Sequence, residues 1–237
     1  MRNSITICTL GVLAQAGIAL AQDDLPKGRY EVQVTNLTRG QRFTPVLVAS
    51  HEEGVRIFEL GAAASPQIKT IAEEGNPGPL GDLLRGNEKV CDVTNSPAPP
   101  PVTRLIGPGA TISISLAAGG KCDHFSVASM LIPTNDAFLA LNGMPGPRKK
   151  GEVVTYLVPA YDAGTERNDE MCSSIPGPGF AECITPSNPA GDGGGAAVGM
   201  GEGFVHIHAG IHGIGNLNAG MRDWRNPVAR ITIRRID

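Results

Sequence analysis

The sequence predicts an all-β fold, an antiparallel β-sandwich with one or two short helices, and three features carry that prediction. Glycine (31) and proline (19) make up about a fifth of the 237 residues and punctuate the chain every ten residues or so, as in a sandwich with many turns. Several segments alternate apolar and polar residues with the period of two that a half-buried strand requires. Helical periodicity is confined to one or two short stretches.

The strands can be taken in order. Tyr30-Glu31-Val32-Gln33-Val34-Thr35-Asn36-Leu37 alternates, as does Thr111-Ile112-Ser113-Ile114-Ser115-Leu116. Val153 to Val158 is a nearly continuous apolar run. Val228 to Arg234 closes the chain, with Arg230, Thr232 and Arg234 on one face and Ile231 and Ile233 on the other. First and last strands of this kind are expected to lie side by side. The one clear helix runs from Ser65 to Gly75: Ser65 caps it, Pro66 suits its first turn and Gly75 ends it. A second short helix is expected near Leu80 to Leu84. Asn95–Val102 and Cys172–Gly203 are Pro/Gly-rich loops. With no internal repeat, residues 22–237 are expected to form one domain.

The first 21 residues differ. A basic start at Arg2 leads into an apolar stretch from Ile5 to Leu20, ending in Ala19-Leu20-Ala21, the pattern of a signal peptide cleaved after Ala21. Gly11, Gln15 and Gly17 interrupt it, and it falls short of the roughly 20 apolar residues of a membrane span. No later segment is long and apolar enough to be one. Four of the five cysteines follow the leader, an even number that suits two disulfides in an exported chain, with three connectivities available. Cys172 and Cys183 flank one loop, so they are expected to pair, leaving Cys91 for Cys122. The spacing lacks the CxxC of a thiolate metal site. A net charge of −3 without a basic block argues against a nucleic-acid partner.

A set of motifs then appears in fixed order. Tyr30 to Thr38 is followed by Phe43-Thr44-Pro45, by Glu59-Leu60-Gly61-Ala62-Ala63-Ala64-Ser65 and by Ala72-Glu73-Glu74-Gly75. Next come Ile132-Pro133-Thr134-Asn135-Asp136-Ala137-Phe138, Pro159-Ala160-Tyr161-Asp162-Ala163-Gly164-Thr165-Glu166 and Pro227-Val228-Ala229-Arg230-Ile231-Thr232-Ile233. This series resembles the spondin domain, the N-terminal module of F-spondin and mindin, and especially its single-domain bacterial type. The resemblance implies a sandwich akin to calcium- and lipid-binding ones, and a role in adhesion or recognition rather than catalysis. It also implies a calcium ion on the end loops, held by Asp136 and Asp162. The family's third ligand, a glutamate, falls here on Ser113 or Ser115; Asp123, Glu166 or Asp169 are the nearby substitutes in sequence.

One further cluster stands apart. Phe204-Val205-His206-Ile207-His208-Ala209-Gly210-Ile211-His212 holds three of the five histidines. His206 and His208 share a strand face, and His212 lies past a glycine bend. Three imidazoles and a water are the ligand set of a catalytic zinc, with Glu202 placed as a general base. Trp224 is expected to anchor a loop from beneath, with Arg225 outside. Neither G-x-S-x-G nor a phosphate-binding glycine loop is present. The reading is an exported module, periplasmic or secreted, that binds an extracellular or envelope protein or carbohydrate. Its alternative is a metal-dependent enzyme on His206, His208 and His212. The oligomeric state is not legible.

Overall fold

A computed structural model describes residues 25–96, 105–177, 179–191, 197 and 200–237; the expected leader and parts of both expected Pro/Gly loops lie outside them. Two antiparallel sheets form the body. The smaller has the order β5 (Thr111–Gly120), β1 (Leu25–Asn36), β11 (Ala229–Arg235), β8 (Val153–Val158). The larger runs β10 (His206–Ile207), β9 (Ala160–Asp162), β7 (Ala137–Pro145), β6 (His124–Ile132), β3 (Leu47–His51), β4 (Val90–Asn95), and β2 (Arg42–Phe43) also pairs with β6.

Alternation sets the register of the smaller sheet. Val32 lies opposite Ile233 on one side and Ile114 on the other, and Val34 opposite Ile231 and Ile112. Each row turns its apolar side chains inward, while Arg230 and Arg234 stay exposed. A slip of one residue would bury those arginines, so the register is firmly specified. First and last strands do sit together. β8 is the edge, and its apolar run leaves Val153 and Leu157 exposed.

The larger sheet is covered on both faces. Along β7, Ala137, Leu139 and Leu141 point into the core between the sheets, and Phe138 and Ala140 into a second core on the outer face. That second core is roofed by α1 (Pro66–Glu74) and α2 (Gly78–Arg85) through Ile68, Ile71, Leu80 and Leu84. A strand buried on both sides loses its alternation, which is why Phe125–Ile132 and Ala137–Leu141 carry no period-2 signal.

The caps of α1 are those expected: Ser65 accepts the N–H of Ile68, and Gly75 closes the helix at φ 65°. Cys91 is bonded to Cys122 and Cys172 to Cys183. Trp224 is buried in the main core with Arg225 outside. Among the described residues, no helix is long and apolar enough to cross a membrane.

Candidate metal centre at the loop end of the sandwich

Backbone pairing brings the two motif aspartates together. β6 ends at Ile132, the chain bends through Pro133–Asn135, and Asp136 immediately precedes β7. Ala137, the first residue of β7, pairs with Asp162, the last of β9. Both aspartates are fully buried. On the other side of β9, the short strand β10 places His206 directly opposite Asp162.

The loop after β9 wraps the carboxylates. Asp136 Oδ2 accepts the N–H groups of Thr165 (2.8 Å) and Glu166 (3.1 Å) and the Thr165 hydroxyl (3.2 Å). Asp136 Oδ1 is buried without a partner. Burial first, and then the charge of Asp162, push the Asp136 carboxyl up to about 7, against the pull of those donors. Asp162 Oδ1 accepts the Gly164 N–H (2.8 Å) and Oδ2 the Asn168 amide (2.6 Å).

Two imidazoles face the same Oδ2: His206 Nε2 at 3.9 Å and His208 Nε2 at 3.8 Å. Their tautomers differ. His206 Nδ1 lies 3.1 Å from the Phe204 carbonyl, which can only accept, so Nδ1 carries the proton and Nε2 a free lone pair. His208 Nδ1 accepts the Gly210 N–H (2.9 Å), so in the neutral ring Nε2 carries the proton. That Nε2 is buried without a partner, and the ring lies against Trp224, centroids 5.0 Å apart. Burial pushes His208 down to about 4, so the ring is neutral near pH 7.

Asp162, Glu202 and His206 offer donor atoms that all lie within 4.8 Å of one another, a group able to hold a metal ion. His212 is not in that group. Its side chain is exposed, while its N–H donates to Glu170 Oε1 at 2.6 Å. The three-histidine set is therefore not assembled, because the Gly210 bend carries His212 outward instead of folding it back.

The expected substitutes for the third carboxylate fare unevenly. Ser115 pairs with Glu31 in the other sheet and faces solvent, as does Ser113. Asp123 precedes β6 and binds His124 Nδ1 (2.8 Å), the whole strand away from Asp136, about 30 Å at the usual rise. Sequence proximity misleads there because the strand runs directly away from the site. Asp169 is near, but it accepts from Asn135, Met171 and Ser174 and so braces the turn before Asp136.

Glu166 is buried with Oε2 unpartnered. Burial raises its carboxyl to about 7, helped by the neighbouring charges of Glu73 and Asp136 and opposed by Lys69. Glu170 escaped the sequence reading. Its buried carboxylate gathers the N–H groups of His212, Gly213 (2.7 Å) and Ile214 (3.0 Å), stitching the histidine loop to the body. A positive φ of 56° marks it out.

The family model described as Spondin_N matches residues 30–174. The chain belongs to the spondin N-terminal domain family. No curated protein matches it significantly. The matched part of this spondin domain includes Asp136, Asp162, Glu166 and Glu170 and ends before Glu202 and His206. The family is not known as enzymatic, and together with the disulfides it points to an exported or extracellular protein.

Hard donors of the kind calcium takes are present at Asp136 Oδ1 and Glu166 Oε2, both buried and unpartnered. That ion takes six to eight oxygens, and the resemblance supplies Asp136 and Asp162 but a solvent-facing serine in the other sheet for its third carboxylate. At Asp162 a nitrogen with a free lone pair, His206 Nε2, also stands close, and nitrogen is a ligand for softer cations.

Proposed function

We propose that this spondin domain is an exported binding or adhesion module, periplasmic or secreted, with residues 1–21 as its cleaved leader. It attaches to an extracellular or envelope protein or carbohydrate through the loops around the Asp136–Asp162 end. The observation that carries this reading is the distribution of exposed apolar side chains. Among the described residues, half of the large ones come from the loop-rich stretch 163–222: Met171, Ile184, Met200, Phe204, Ile207, Ile214 and Met221. Loops held on a rigid sandwich are the usual seat of recognition, and exposed apolar residues on them favour contact with a partner. Three methionines lend the surface adaptability. Buried carboxylates, by gathering loop N–H groups, fix its shape beforehand, which lowers the ordering cost of binding.

The test is retention of the purified protein on isolated cell envelopes and on immobilised glycans. Ile207→Asp and Ile214→Asp are expected to weaken retention at least about tenfold, since several apolar contacts of about 1 kcal/mol each are lost. Val153→Asp and Leu83→Asp, exposed on the β8 edge and on α2, are expected to leave it unchanged. Equal loss in both pairs, or loss only in the second, refutes a loop-end binding face. Adding calcium to chelator-treated protein is expected to change nothing; calcium-dependent retention would restore the family's hard-cation site.

A further inference from the structure

We propose that Asp162, His206 and Glu202 form a site for a divalent first-row transition metal of the zinc type, distinct in chemistry from the calcium that the family resemblance implies. The inference is independent of the adhesion reading.

Three observations converge. The first is the donor set: two carboxylates and one imidazole within 4.8 Å of one another. Zinc bonds of about 2.0–2.2 Å place tetrahedral ligands about 3.4 Å apart. The 3.9 Å between His206 Nε2 and Asp162 Oδ2 therefore needs to close by only about half an ångström. Two carboxylates also balance the ion's charge.

The second is the orientation of His206. Its Nδ1–H is spent on the Phe204 carbonyl, the outer contact that fixes the tautomer of metal-bound histidines and leaves Nε2 free to ligate. Asp162 is held in the same way, by the Gly164 N–H and the Asn168 amide. The two side chains bring their donor atoms to 3.9 Å of one another.

The third is His208. Its side chain is only 2% exposed, yet Nε2 is aimed at Asp162 Oδ2 from 3.8 Å with no hydrogen-bond partner. An orphan donor at such depth is costly and calls for an explanation. Because the Gly210 N–H occupies Nδ1, ligation through Nε2 would require a deprotonated ring. His208 is thus not a ligand but a donor, left to bond an oxygen ligand of the ion or Asp162 itself once the site contracts. It is a positioning residue.

The experiment uses untagged protein without the leader, stripped with a chelator and titrated calorimetrically with zinc alone and with calcium alone. One equivalent of zinc is expected to bind, at least about 100-fold more tightly than calcium, as nitrogen ligation favours the softer ion. His206→Ala and Glu202→Gln each are expected to weaken zinc at least about tenfold, and His212→Ala to leave it unchanged. His206 and Glu202 lie at the surface, and an unchanged circular dichroism spectrum verifies that these variants fold. His208→Gln is expected to keep the stoichiometry while weakening zinc by about tenfold. Absence of stoichiometric zinc binding overturns the site. So does binding indifferent to His206→Ala and Glu202→Gln, or binding lost on His212→Ala with Glu202→Gln harmless. Failure here leaves the envelope-retention result intact, so the two readings fall separately.

Discussion

Glu170 allows a stringent test of how the loop end is held. Its carboxylate accepts three N–H groups from residues 212–214 at 2.6–3.0 Å. Hydrogen bonds to a charged acceptor contribute about 1.5–3 kcal/mol each when fully buried. Residues 212–214 are exposed, so water recovers part of the loss, and about 1 kcal/mol per bond is the better figure. Glu170→Ala should then loosen the loop by about 3 kcal/mol, and Glu170→Gln, which keeps one acceptor oxygen, by about 2. The φ of 56° adds a second handle. A non-glycine residue there is strained by about 1 kcal/mol or more, so Glu170→Gly should be the milder of the two truncations. Hydrogen exchange reads this directly: amide protection at 212–214 should fall about 100-fold in Glu170→Ala. If the loop opens together with the body, melting drops by about 6–12 °C, at 2–4 °C per kcal/mol for a chain of this length. Protection within threefold of the parent in both Glu170→Ala and Glu170→Gln would refute the stitch.

Other outcomes follow from the same structure. Asp136 and Glu166, both raised to about 7, keep protons in the folded state that the unfolded chain releases near its ordinary carboxylate values. The stability these two groups contribute is therefore greatest below about 4 and is lost as pH rises through 7. His208, pushed down to about 4, opposes this below about 6.5, so in chelator melting temperatures should fall between about pH 6.5 and 8 and Glu166→Gln should flatten that slope; a rise across the same interval contradicts the assignment. Phe138, buried between α1 and the sheet and touching Phe58 and Tyr161 at ring-centroid distances of 5.3 Å for Phe58–Phe138 and 5.5 Å for Phe138–Tyr161, should cost about 3–5 kcal/mol when changed to alanine, measured by urea denaturation. Replacing Cys91 and Cys122 by alanine should destabilise by about 4 kcal/mol, against about 3 for Cys172 and Cys183, because the first bridge closes the longer segment, 31 residues against 11. The opposite order under denaturant would show that loop length does not govern these bridges.

The legible parts of the fold were those with local signals. Ser65 and Gly75 announce α1 because capping is decided within four residues, and β1, β5 and β11 announce themselves because each has one wet face. β6 and β7 are silent for the opposite reason: α1 and α2 dry their second face, and the periodicity disappears. The apolar run of β8 marked a strand, which forms an edge with Val153 and Leu157 in solvent. At the site, the motif resemblance paired Asp136 with Asp162, and the register of β9 against β7 places them at one end. Glu170 was invisible, since its partners lie 42–44 residues away and a lone glutamate in a loop carries no pattern. The fate of the histidines hinged on a two-residue strand and one glycine bend. No spacing rule distinguishes His206, with its Nε2 free, from His208, with its Nδ1 occupied; that difference lies in which backbone group each ring meets.

The pairing of β1 with β11 carries a consequence for biogenesis. β11 lies in the interior of the four-stranded sheet, yet it follows all the other described strands in the chain. Until Ala229 to Arg235 arrive, Val32 and Val34 lack the Ile233 and Ile231 they face, and β8 has no neighbour through which to join β1. The smaller sheet therefore cannot close until Ala229 to Arg235 have been made and have found β1.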